Sequence, residues 1–163
     1  MKNAARMVLN NFPTLRASLK NLRSDVLVGV PSDKSVRKVE ESGSPMNNAT
    51  IAYIQDNGSP AANIPARPFM QPGIKAVKPK IATSLQHGAR GALQGDKDAV
   101  EKGLNVAGLA AQASIRSMIN EGIPPPLSSL TIASRKARGR TGTKPLVDTG
   151  QLRNSINYVV RKK

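Results

Sequence analysis

Apolar residues recur every three or four positions over residues 4–22, where Ala5, Val8, Phe12, Leu15, Leu19 and Leu22 fall on one stripe, the mark of an amphipathic helix. Pro13 interrupts that stripe, so the spacing predicts either a kink or a second helix with Pro13 in its first turn. Residues 25–31 (DVLVGVP) alternate and predict a short strand that Pro31 ends. Residues 32–49 are rich in Ser, Asn and charge with no sustained period, which predicts a mobile loop or a long hairpin tip. Residues 50–55 (TIAYIQ) predict a second strand, closed by the Asn57, Gly58 turn signal. The two strands are expected to pair as an antiparallel hairpin around the loop.

Beyond residue 72 the period becomes helical. Ile74, Val77, Ile81, Leu85, Ala89 and Ala92 share a face over residues 72–93, although Pro79, Gly88 and Gly91 interrupt it. Residues 97–121 read more strongly: Val100, Leu104, Ala107, Ala111, Ile115 and Met118 share a face and Gly122 stands where a C-terminal cap belongs. Such a helix is about 37 Å long, and its Ala and Gly content invites close approach by another helix. Pro124, Pro125 and Pro126 cannot continue it. Ser128 or Ser129 can cap a short helix ending near Ala137, residues 138–144 (RGRTGTK) read as an exposed basic loop, and a turn over residues 147–152 leads to a strand at 155–160 and a basic tail at 161–163.

Composition narrows what this chain can do. At 163 residues the length favours one domain, able to bury about two thirds of its unfolded surface. Phe12, Phe69, Tyr53 and Tyr158 are the only aromatic residues, so the core must be closely packed aliphatic helix or be completed by a partner. Net charge is +15, from 25 Lys and Arg against 10 Asp and Glu, which directs the chain toward anionic surfaces. The absence of Cys excludes disulfides and thiolate chemistry and fits a reducing compartment. No segment approaches the roughly 20 apolar residues of a membrane span, and no signal peptide is apparent. The expectation is a soluble chain made in a cytoplasm, with no membrane contact.

Asp148, Thr149 and Gly150 carry the tripeptide of aspartic proteases, where two copies share a proton. Only 13 residues follow Gly150, too few for the rest of such a fold. The structural alternative is that Asp148 and Gln151 form a capping box and Gly150 permits a tight turn. Residues 139–145 (GRTGTKP) miss the spacing of a phosphate loop. Arg135, Lys136, Arg138, Arg140 and Lys144 form a basic patch with no acid within it, either a solvated face or a contact for nucleic acid or an acidic neighbour; no aromatic residue is interleaved for base stacking. His87 is the only histidine, and Asp96, Asp98 and Glu101 suit the start of the long helix. No enzymatic activity, metal or cofactor is expected. In residues 64–70 (IPARPFM) two prolines stiffen the run, leaving Arg67 and Phe69 either as core and local contacts or as an intersubunit anchor.

Taken in order, a strand ending near Gly58, IPARPFMQPGI, a long helix ending in Gly122, Ile123 and Pro124, then PLSSLTIASRKARG and KPLVDTGQLRNSI resemble the tail-completion or neck (head-tail joining) proteins of long-tailed bacteriophages, including the minor tail protein Z type. The resemblance covers about residues 50–160. It implies an α+β fold, a small antiparallel sheet packed against two or three helices, here with the long hairpin loop. It also implies a structural virion subunit without catalysis, assembling as a homo-oligomeric ring, a hexamer or dodecamer, between the head connector or adaptor and the tail terminator or tail tube. The signature maps onto Arg67, Pro68 and Phe69, and onto Pro145, Leu146, Asp148, Thr149, Gly150, Leu152 and Arg153, as structural or interface positions. The charge leaves non-specific contact with phage DNA open, and a basic nucleic-acid-binding protein of a phage or prophage is the alternative reading.

Overall fold

The computed structural model describes residue 16, residues 23–35 and residues 46–162; the amphipathic segment at 4–22 therefore lies almost wholly outside the described residues. In chain order the elements are β1 (Ser24–Gly29), α1 (Ser32–Ser35), α2 (Asn48–Asn57), a 3₁₀ turn (Pro60–Ala62), α3 (Met70–Ala76), α4 (Lys78–Leu93), α5 (Ala99–Glu121), α6 (Ser129–Ala137), α7 (Gln151–Ser155) and β2 (Asn157–Lys162). The class is α+β, with a two-stranded antiparallel sheet.

The expected hairpin is not what forms. Residues 50–55 are helical, within α2, and β1 pairs instead with β2 at the other end of the chain. Local capping outweighs the β-rich composition of TIAYIQ: Asn47 Oδ1 accepts a hydrogen bond from the N–H of Thr50 at 2.7 Å, and Gly58, at φ 80°, closes the far end. Asn48 and Ala52, one turn apart, are the buried pair, while Tyr53 is exposed. The loop expected at 32–49 likewise contains α1 at its start and the first residues of α2 at its end; residues 36–45 lie outside the described residues.

The helix expected over 72–93 is two helices, α3 and α4, separated at Val77. Pro79 stands in the first turn of α4, where its missing N–H costs nothing. The long helix and the helix capped by Ser128 form as expected; Ser128 Oγ accepts from the N–H of Thr131 at 3.2 Å. On α5 the fully buried residue near the C-terminal end is Ile119, with Met118 only half-buried.

The chain divides into two compact units. The first gathers most of α4, the N-terminal half of α5 and the paired ends of β1 and β2. Its centre is small: Ala92, Ala99, Leu104, Ala107 and Ala110 are buried. A Cβ on Gly103 would stand 2.7 Å from the Ser84 carbonyl oxygen and 3.0 Å from the Gly88 Cα, so the absence of side chains is what allows α4 and α5 to touch. Gly103→Ala is therefore expected to destabilise the chain by about 1–3 kcal/mol through overpacking, despite the roughly 1 kcal/mol gained in helix propensity. A urea midpoint at or above that of the unsubstituted chain would contradict this. In the same unit Arg161 donates through Nε and Nη2 to the two oxygens of Asp25, at 3.2 and 2.8 Å. That hydrogen bond raises the Arg161 pKa above its usual value; at the surface such a pair adds little stability.

The second unit holds α2, α3, α6, α7, the C-terminal half of α5 and the intervening loops. Phe69, Ile115, Ile119 and Ile156 are fully buried at its centre, joined by Ala52 and Leu152 and flanked by Val28, Ile74, Leu146 and Val147.

Candidate functional site

Both signature segments meet in the second unit. Residues 64–69 are fixed by backbone bonds along their length: Ile64 pairs with Ser59 across the 3₁₀ turn, the N–H of Arg67 donates to the Gln55 carbonyl at 2.8 Å, and the N–H groups of Phe69 and Met70 donate to Asp56 Oδ1 at 2.7 and 3.0 Å. Asp56 thus positions the segment and caps α3, a role sequence reasoning missed because its partners lie 13 and 14 residues away. Phe69 has no exposed surface, and Arg67 donates from Nε to the Pro125 carbonyl at 3.0 Å and from Nη2 to the Pro126 carbonyl at 3.3 Å. Of the two roles open to these residues, the core and local one is satisfied within the chain. Pro68 between them is exposed.

The second segment is built around Arg135. Expected on a basic surface, it is buried, and its Nη1 is shared among the carbonyls of Gly142, Lys144 and Val147 at 3.0, 3.0 and 2.8 Å. Two of those carbonyls bracket Pro145, which is buried, and Leu146, whose φ of 63° is left-handed and unfavourable for a branched side chain. Arg135 therefore clamps a strained turn that presses Leu146 against the core.

Asp148 is not a capping residue. Its carboxylate lies 3.6 Å from Arg135 Nε and 2.8 Å from Arg140 Nη1, so among the described residues it is paired with two guanidinium groups. The N-cap of α7 is Gly150, left-handed at φ 76°, and the N–H of Gln151 reaches Thr149 Oγ1 at 3.4 Å. The expected short helical turn before the last strand does form, by glycine geometry in place of a capping box. Arg153 donates to Asn120 Oδ1 at 3.2 Å and Lys144 Nζ to the Asn120 carbonyl at 3.0 Å, tying this segment to the last turn of α5. Arg138 folds back on Ser134. Of the basic patch, Arg135, Arg138, Arg140 and Lys144 all spend hydrogen bonds inside the chain; Lys136 is exposed.

Between the two segments lies a cleft of about 410 Å³. Ile64, Pro65 and Arg67 line one side, Leu146, Asp148, Thr149, Gly150 and Leu152 another, with Gln55, Leu127, Thr131 and Arg135 completing the wall. Among the described residues that line it, the only carboxylate is Asp148, the one bonded to Arg140. Burial lowers the Arg67 pKa from its ordinary value, although a guanidinium stays charged. Among the described residues no cluster of His, Asp and Glu could hold a metal ion, and no helix is long and apolar enough to cross a membrane. No family model, curated protein or solved structure matches the chain.

Proposed function

We propose that this chain is a structural subunit of the neck of a long-tailed phage particle, completing the tail and joining it to the head connector as a ring of six or twelve copies. One observation carries the reading. The two signature segments, far apart in sequence, fold onto each other: Phe69, Leu146 and Leu152 belong to one apolar core and Arg67, Leu146, Asp148 and Thr149 to one cleft. That is the behaviour expected if both strings are parts of a single structural signature. Leu130 and Tyr53, 80% and 69% exposed, are further consistent with surface that neighbouring subunits cover. The reading assigns the chain no catalysis and places it in the virion after synthesis in the host cytoplasm. Native mass spectrometry of the neck assembly tests it: a closed ring of six or twelve copies is expected, and a single copy per particle would overturn it.

The charge of +15 favours a second role, non-specific contact with DNA, whose affinity would fall steeply with salt. The internal engagement of Arg135, Arg140 and Lys144 leaves that role to the remaining basic residues.

A further inference from the structure

Arg67 carries a charge that no described residue neutralises. Its side chain lies in a residue only 6% exposed, its Nε and Nη2 are bonded to neutral carbonyls, and the ion pairs of the described residues do not include it. Arg135, by contrast, has Asp148 beside it. A buried cation without a counter-ion is costly, and an incoming anion offsets that cost. Because Arg67 lines the cleft, the two carbonyls fix the plane of its guanidinium while Nη1, which makes no hydrogen bond within the described chain, is left for a ligand.

We propose that the cleft holds a carboxylate side chain of an acidic partner peptide, an extended segment in which Asp or Glu is flanked by aliphatic residues, with Arg67 as its counter-ion. The walls match such a segment: Ile51, Ile64, Leu127 and Leu146 supply apolar surface beside the guanidinium. The volume, about 410 Å³, lies in the range of sites that enclose a few side chains. A nucleic-acid strand fits less well. Its phosphates need several unspent cations, its bases need aromatic platforms, and this cleft has one unpaired guanidinium, no aromatic lining and the Asp148 carboxylate in its wall. The inference stands on the cleft alone and holds whatever assembly the chain enters.

The test is an NMR titration of the full ¹⁵N-labelled chain with acetyl-Leu-Asp-Leu-amide, acetyl-Leu-Asn-Leu-amide and inorganic phosphate. The Asp peptide is expected to move the Arg67 Nε–H signal and the amides of residues 149–152, saturably, and the Asn peptide to bind about tenfold more weakly, the usual worth of a charge-assisted hydrogen bond. Gln55→Glu, a near-isosteric change in the cleft wall, supplies an internal carboxylate and is expected to weaken the Asp peptide about tenfold without removing any Arg67 contact. Equal binding of the two peptides, phosphate binding tighter than the Asp peptide, no saturable response, or indifference to Gln55→Glu would each overturn the proposal.

Discussion

Arg135→Leu is expected to destabilise the chain by roughly 2–4 kcal/mol, the loss of several charge-assisted hydrogen bonds from one buried guanidinium. Three carbonyls, those of Gly142, Lys144 and Val147, lose their donor at once, and Asp148 loses one of its two guanidinium partners. Leucine fills part of the volume but satisfies none of these acceptors, which lose a charge-assisted donor each and turn to water. The left-handed backbone of Leu146 then loses its clamp and is held only by its packing on the core and the Lys144–Asn120 bond. For a chain of this length the melting temperature should fall by on the order of 10 °C, and cleavage by trypsin after Arg138 and Arg140 should accelerate. Lys136→Leu, one position along the same helix and exposed, should change stability by no more than about 0.5 kcal/mol. Equal melting temperatures for the two variants would show that the clamp contributes nothing.

Phe69→Ala should cost a comparable amount, about 3–5 kcal/mol, from lost transfer energy and the cavity left behind. The ring has no exposed surface and packs in a core with Ile115, Ile119, Leu152 and Ile156. Phe69→Leu retains much of the volume and should cost distinctly less, while Pro68→Ala, at an exposed position, should change little. Denaturation of the isolated chain reads all three. The comparison also separates the two roles open to this residue from sequence: an aromatic side chain used only between subunits would leave the isolated chain's stability unchanged when truncated.

The elements legible in the sequence were those specified locally. The long helix declared itself by a sustained apolar period with Gly122 at its end, α6 by Ser128 at its cap, and β1 by alternation; the strand expected at 155–160 forms as β2 two residues later, because α7 takes Ser155 and β2 takes Arg161 and Lys162 from the expected tail. Illegible features were decided by residues distant in sequence. The partner of β1 is β2, at the opposite end of the chain, and a hairpin looked sufficient because residues 50–55 carry both a strand-like composition and, through Ile51, Ala52 and Gln55, a helical spacing. The cap at Asn47 and the burial of Ala52 settled that ambiguity. Arg135 sat among four other basic residues and looked like surface, because nothing in a linear reading shows three carbonyls converging on it from the loop beyond. Asp148 was misassigned for the same reason. Its spacing to Gln151 fitted a capping box, but Arg140 and Arg135 reach its carboxylate first. The two segments that carry the resemblance were visible as strings, whereas their shared cleft exists only in three dimensions.

Structural membership of a phage neck is the central claim, and it is tested most directly by electron microscopy of particles assembled with and without this chain. A ring at the junction of head and tail is expected when the chain is present, and unjoined heads and tails that accumulate separately when it is absent. Intact, joined particles assembled without the chain would contradict it.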